Sequence, residues 1–142
     1  PCCDWYDVDC DSNGRVIGLS VFQDNLSGTL PPAIGDLPLL ENLMFHKLPN
    51  LVGSIPSTIT KLTHLSLLTL SWNSLSGPIP PFLSQLTSLT FLTLAFNKFS
   101  GSIPPSLANL HNLGALHLDR NQLTGPIPDS FGSFPASSPP DL

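Results

Sequence analysis

The sequence predicts an α/β repeat solenoid: a right-handed coil with a parallel β-sheet on its concave face and short helical or irregular segments on its convex side. Three observations predict it. Gly28, Gly53, Gly77, Gly101 and Gly125 recur at intervals of 25, 24, 24 and 24 residues. Around each glycine the same apolar positions return: Leu26, Leu51, Leu75, Phe99 and Leu123 two residues before, and Leu30, Ile55, Ile79, Ile103 and Ile127 two after. A proline follows at 31, 56, 80, 104 and 128. Self-similarity at this period marks stacked units, none of which can bury its apolar face alone.

The elements follow in order. Residues 1–15 read as a partial N-terminal cysteine cap, 16–134 as five repeats of 24–25 residues, and 135–142 as a Pro/Ser-rich tail. Cys2, Cys3 and Cys10 all lie in "PCCDWYDVDC". Zinc is disfavoured there because the nearest histidine is His46. A Cys3–Cys10 disulfide would staple the cap, with Trp5 and Val8 covering the open end of the core. Cys2 is left over, which points to a partner upstream and a chain truncated at its start. Each repeat then opens on a short strand. In "LLTLSWN", Leu68 and Leu70 alternate with Thr69 and Ser71, and the alternation recurs at Leu19/Val21, Leu43/Phe45, Leu92/Leu94 and Leu116/Leu118.

Asn73, Asn97 and Asn121 follow, where a buried amide can satisfy backbone groups freed by the turn. Glycine supplies backbone freedom, and Ile-Pro leads away extended. Leu83, Leu86 and Leu89, like Leu107, Leu110 and Leu113, continue at helix-like spacing for a turn or two. The second repeat departs from this pattern. "FHKLPNL" carries one extra residue and puts Pro49 where the ladder wants Asn, predicting a bulge, with Asn50 taking over part of the amide's role. After Leu118 and Leu123 nothing apolar and repeating covers the last coil, so Phe131 and Phe134 must fold over it.

Composition narrows the function. Of the 142 residues 41% are hydrophobic and only 11% charged, as suits a continuous interior under a Ser, Thr, Asn and Pro surface. The net charge is −5 with five Lys plus Arg, so a nucleic-acid partner is not expected. No apolar run is long enough to span a bilayer. The sequon "NLS" makes Asn25 a glycosylation acceptor if the chain is secreted, and a turn residue otherwise. Chemistry is poorly supplied. His117 and Asp119 share the polar face of one strand and could form a general-base pair, but no strained nucleophile accompanies them and Ser20 is several strands away. Neither an enzyme nor a cofactor or metal is expected.

Binding is the better reading. The outward positions of successive strands form columns about 4.8 Å apart. The central column reads Ser20, Met44, Thr69, Thr93, His117, and the next Phe22, His46, Ser71, Ala95, Asp119. The column nearest the turn reads Gln23, Lys47, Trp72, Phe96, Arg120. These positions are free of the packing rule and can vary for a partner. From them Gln23, His46, Lys47, Thr69, Ser71, Trp72, Thr93, Phe96, His117, Asp119 and Arg120 are the candidate contacts, with Trp72 and Arg120 of the types that dominate interfaces. Against this, Trp72 and Phe96 could stack merely to shield the turn beneath them.

The stretch "LSGPIPPFLSQLTSLTFLTLAFNKFSGSIPPSLANL" carries L-x-G-x-I-P and resembles the plant extracellular leucine-rich repeat. The cap "CCDWYDVDC", the irregular "LENLMFHKLPNLVGSIP", "LSWNSLSGPIPPFLSQL" and "LGALHLDRNQLTGPIPDSFGSF" are similar to polygalacturonase-inhibiting proteins. That resemblance implies a secreted, plant cell-wall defence protein. Such a protein binds fungal endopolygalacturonases through its concave face and has no chemistry of its own, and its location adds cell-wall pectin as a second partner. The family also carries more repeats and a cysteine-bearing C-terminal cap, absent from "PASSPPDL", so the resemblance implies a partial chain. The family's concave column is often charged, whereas Thr69, Thr93 and His117 stand there. Two alternatives are an ice-binding protein, because a carrot antifreeze protein is similar to the family, and the ectodomain of a leucine-rich-repeat receptor kinase. Ice favours a flat, repeated, uncharged face, which the concave mixture of Met44, Lys47, His117 and Arg120 is not.

Overall fold

A computed structural model describes residues 2–23 and 25–135. Its strands are, in chain order, β1 (Val8–Cys10), β2 (Val16–Phe22), β3 (Gly28–Thr29), β4 (Asn42–His46), β5 (Leu48–Gly53), β6 (Leu67–Thr69), β7 (Asn73–Pro78), β8 (Phe91–Thr93), β9 (Lys98–Gly101), β10 (Ala115–His117) and β11 (Gln122–Leu123). The first sheet runs β1-β2-β4-β6-β8-β10, one strand per coil after the cap. Leu19, Leu43, Leu68, Leu92 and Leu116 are successive partners along it, and so are Ser20, Met44, Thr69, Thr93 and His117. The first set faces inward. Leu43, Leu68, Leu92 and Leu116 are completely buried, with Leu75, Phe99, Leu83 and Leu107 arriving from other sides of the coil. Each such side chain contributes roughly 1.5–3 kcal/mol relative to exposure. The repeat's periodicity is thus the periodicity of one continuous core.

The asparagines tie the coils together. Asn97 accepts the Leu75 N–H at 3.1 Å through Oδ1 and donates from Nδ2 to the carbonyls of Leu70, Leu94 and Ala95. Asn121 accepts from Phe99 N–H at 3.0 Å and donates to the carbonyls of Leu94, Leu118 and Asp119. Asn73 accepts from Leu48 N–H at 3.0 Å and donates to Phe45 C=O at 2.8 Å. Each amide therefore bridges to the coil before it.

The second coil breaks the ladder in a different way from the expected one. Leu48, not Pro49, pairs with Asn73, and it is completely buried. The extra residue enters after it, where the register shifts between Leu48 and Val52. Asn50 is exposed and takes over no part of the amide's role. The bulge instead turns the Pro49 carbonyl toward Ser74, whose Oγ donates to it at 2.8 Å.

The return path is a 3-10 helix in every coil: Pro32–Asp36, Ser57–Lys61, Pro81–Gln85, Pro105–Asn109 and Asp129–Ser133. Proline begins three of them, at a position whose N–H has no helical partner to lose. Hydroxyls cross-link neighbouring helices, as Thr58 Oγ1 donates to Pro32 C=O at 2.7 Å and Ser130 Oγ to Pro105 C=O at 2.8 Å.

A second parallel sheet, β11-β9-β7-β5-β3, flanks the first. Sequence reasoning missed it because only three residues separate the asparagine from the glycine in the last three repeats. Those residues nonetheless alternate: Ser74 and Ser76 around buried Leu75, and Lys98 and Ser100 around buried Phe99.

The ends are closed unequally. At the start β1 pairs antiparallel with β2 and occupies its free edge. The Cys3–Cys10 disulfide holds the cap across a Cα separation of 5.7 Å, and Cys2 is a free thiol. Trp5 does not cover the core: it is 68% exposed. Backbone pairing by β1 is what closes this end. At the other end Phe134 is buried and packs edge-on against Phe131 at 5.1 Å. They leave Ile127 60% exposed beside a cavity of about 100 Å³ lined by Ile103, Leu116, Leu118, Asp119, Ile127 and Phe131. Of the Pro/Ser-rich tail, residues 136–142 lie outside the described residues.

Candidate functional site

The turn edge of the first sheet is built from backbone geometry. Gln23, Lys47, Trp72, Phe96 and Arg120 all have left-handed φ, between 53° and 60°. For residues with a side chain this conformation costs of order 1–3 kcal/mol each. Here it recurs because it rotates the chain so that the next residue, Asn73, Asn97 or Asn121, points inward. The cost is offset by hydrogen bonds that continue the ladder past the strands. Gln23 N–H donates to His46 C=O, Lys47 to Ser71, Trp72 to Ala95 and Phe96 to Asp119, all at 3.1–3.2 Å. The five side chains therefore form a straight ledge.

The ledge is stacked. Trp72 and Phe96 lie face to face, with ring centroids 3.8 Å apart and planes 10° from parallel. The Arg120 guanidinium sits 5.8 Å from the Phe96 centroid, a cation–π distance. Trp72 remains 48% exposed, Phe96 is half-buried, and Gln23, Lys47 and Arg120 are exposed.

Deeper in the concavity the expected columns are present but only partly accessible. Thr69, Ser71 and Thr93 are 6%, 6% and 7% exposed, buried among their neighbours. Being outward-facing did not make them free surface, which corrects the expectation for these three. Thr93 Oγ1 instead accepts the Ala95 N–H at 3.4 Å. Ser71 Oγ lies 2.8 Å from His46 Nδ1. Burial holds the His46 pKa below its ordinary value, and the Lys47 charge adds to this, against a backbone hydrogen bond to Ser71 that works the other way. Phe22, 45% exposed and paired with His46 across the strands, is an accessible position that the candidate set left out.

His117 packs edge-on against Phe91 at 5.6 Å. Asp119 is exposed, and among the described residues no hydrogen bond joins it to His117. Ser20 lies four strands from His117 in the first sheet. Nothing in that arrangement orients a base toward a nucleophile. Among the described residues no group of three or more His, Cys, Asp or Glu could hold a metal ion, and no helix is long and apolar enough to cross a membrane.

The repeats stack into a solenoid that carries an outward-facing ledge of cationic and aromatic side chains. A Leucine Rich Repeat family model matches residues 64–86, 88–110 and 112–134. The leucine-rich-repeat ectodomain of the receptor kinase SOBIR1 from Arabidopsis thaliana is 34% identical at a TM-score of 0.82, over 94% of this chain and 77% of that one. The chain belongs to the leucine-rich-repeat family. Within it the sequence is similar to a polygalacturonase inhibitor of Vitis vinifera, 59% identical over 72 residues, which is 50% of this chain and 22% of that protein. A plant ice-binding protein of solved structure is 55% identical at a TM-score of 0.92, over 96% of this chain and 44% of that chain. The chain thus spans less than a quarter of the inhibitor it matches.

Proposed function

We propose that this chain is a secreted binding module that inhibits fungal endopolygalacturonases by protein–protein contact through its concave face, in plant defence. The observation that carries the reading is the 59% identity to a polygalacturonase inhibitor. The ledge supports it physically. Trp72 and Arg120 are of the types that anchor interfaces, and both are held by a rigid ladder, so little order is lost on binding. Contact is made by Gln23, His46, Lys47, Trp72, Phe96, His117, Asp119 and Arg120, with Thr69, Ser71 and Thr93 lying beneath as support. The chain performs no chemistry of its own. The cap disulfide fits an extracellular plant cell-wall location. There Asn25, which is exposed, is a glycan acceptor and pectin a second partner.

A second reading, ice binding, is favoured by the similarity to the plant ice-binding protein over nearly the whole chain. The surface for it is not the concave face but the outer face of the second sheet. There Thr29, Val52, Ser74, Ser76, Pro78 and Ser100 present small uncharged groups on strands about 4.8 Å apart, with Lys98 the one charge on these strands among the described residues. One preparation separates the two readings. A panel of fungal endopolygalacturonases is assayed with the purified chain, and ice recrystallisation is followed in the same sample. Submicromolar inhibition with unaffected ice growth is the expected result. Arrested ice growth without inhibition from a demonstrably folded chain would replace the first reading by the second.

A further inference from the structure

We propose that the ledge recognises an extended polypeptide segment bearing carboxylates four residues apart, laid along the solenoid axis. The inference rests on the concave-face reading and names the chemistry of what that face receives. All the polar side chains of the ledge can donate: the Gln23 amide, the Lys47 ammonium, the Trp72 indole N–H and the Arg120 guanidinium. Among the described residues the indole N–H makes no hydrogen bond, and Trp72 is half exposed. The ledge itself contains no carboxylate, so its complement is an acceptor-rich, negatively charged strip.

Ring orientation favours a polypeptide over an acidic sugar. A sugar ring stacks on an aromatic face, but the Trp72 and Phe96 faces are turned on each other and the Arg120 guanidinium lies over Phe96. Phe96 is thus covered by Trp72 and by Arg120 and shows solvent its ring edge, the positive rim of the quadrupole, which favours carbonyl and carboxylate oxygens, and one of the two Trp72 faces is taken up by the stack.

Spacing then sets the register. Lys47 and Arg120 stand three strands apart, or about 14 Å, and in an extended peptide residues i and i+4 are about 13.5 Å apart on the same side. Carboxylates at those two positions reach Lys47 and Arg120 while residue i+2 lies against the edges of Trp72 and Phe96.

The probe is a blocked peptide with glutamates at i and i+4 and valine at i+2, compared with one of identical composition whose glutamates are at i and i+2. Trp5→Phe leaves Trp72 as the sole tryptophan, so its fluorescence reports binding. We expect the i,i+4 peptide to bind about threefold to tenfold tighter than its isomer. Lys47→Gln and Arg120→Gln should each weaken it by about threefold, the scale of one partly exposed charge pair, and added salt should do the same. Equal binding of the two peptides, or tighter binding of an oligogalacturonate, would overturn the proposal. Peptide binding without inhibition of any polygalacturonase would leave the ledge's chemistry standing and remove the enzyme as its partner.

Discussion

Replacing Asn97 with alanine is expected to lower the stability of the fold by about 3 kcal/mol, and the melting temperature by about 10 °C. The amide is buried and fully used, joining the Leu75 N–H to three carbonyls on two successive coils. Alanine would remove all four bonds and put no water in their place, and each buried group so orphaned costs about 1–3 kcal/mol. Asn97→Leu should be as harmful, although Leu48 occupies the corresponding place one bulge earlier in the chain. The comparison isolates the bulge: leucine is tolerated at 48 because the backbone around it has rearranged. Thermal melts of both variants check this, and a shift below about 2 °C would show that the ladder is not what holds neighbouring coils together.

The second large effect is expected at Phe99. It stands where the other repeats place leucine and is completely buried. Phe99→Ala should cost about 3–5 kcal/mol through lost burial and an unfilled cavity, whereas Phe99→Leu should cost less than about 1.5 kcal/mol. Because each coil contacts only its neighbours, the loss should be local. Hydrogen exchange should show the coils around β9 and β11 losing protection while β2 and β4 keep theirs. Uniform loss along the chain would mean that the solenoid folds as one unit with no nearest-neighbour character.

The period, the inward columns, the disulfide and the asparagine turns were all legible in the sequence because each is a local rule repeated. What escaped it depended on geometry that repetition does not encode. Counting from the glycines put Pro49 at the asparagine position, but the strand's own register puts Leu48 there, and only the fold says on which side of it the extra residue enters. Trp5 was expected to cover the core because it is large and apolar; the edge of β2 needed backbone partners more than it needed an aromatic lid. Thr69, Ser71 and Thr93 face outward as predicted, yet they are buried among their neighbours. The second sheet was hidden because its strands are as short as turns. On the ledge, the column was readable, but the left-handed backbone that aligns it was not.

The claim that the ledge carries recognition is tested most directly by inhibition constants for one endopolygalacturonase with Trp72→Ala and Val52→Ala. Both side chains are nearly half exposed, one on the ledge and one on the second sheet. The account predicts that Trp72→Ala weakens inhibition by about 30-fold, the cost of one interface hot spot, and that Val52→Ala stays within about twofold of the parent. The reverse order, with both variants folded, would contradict it and move the contact from the concave edge to the flank.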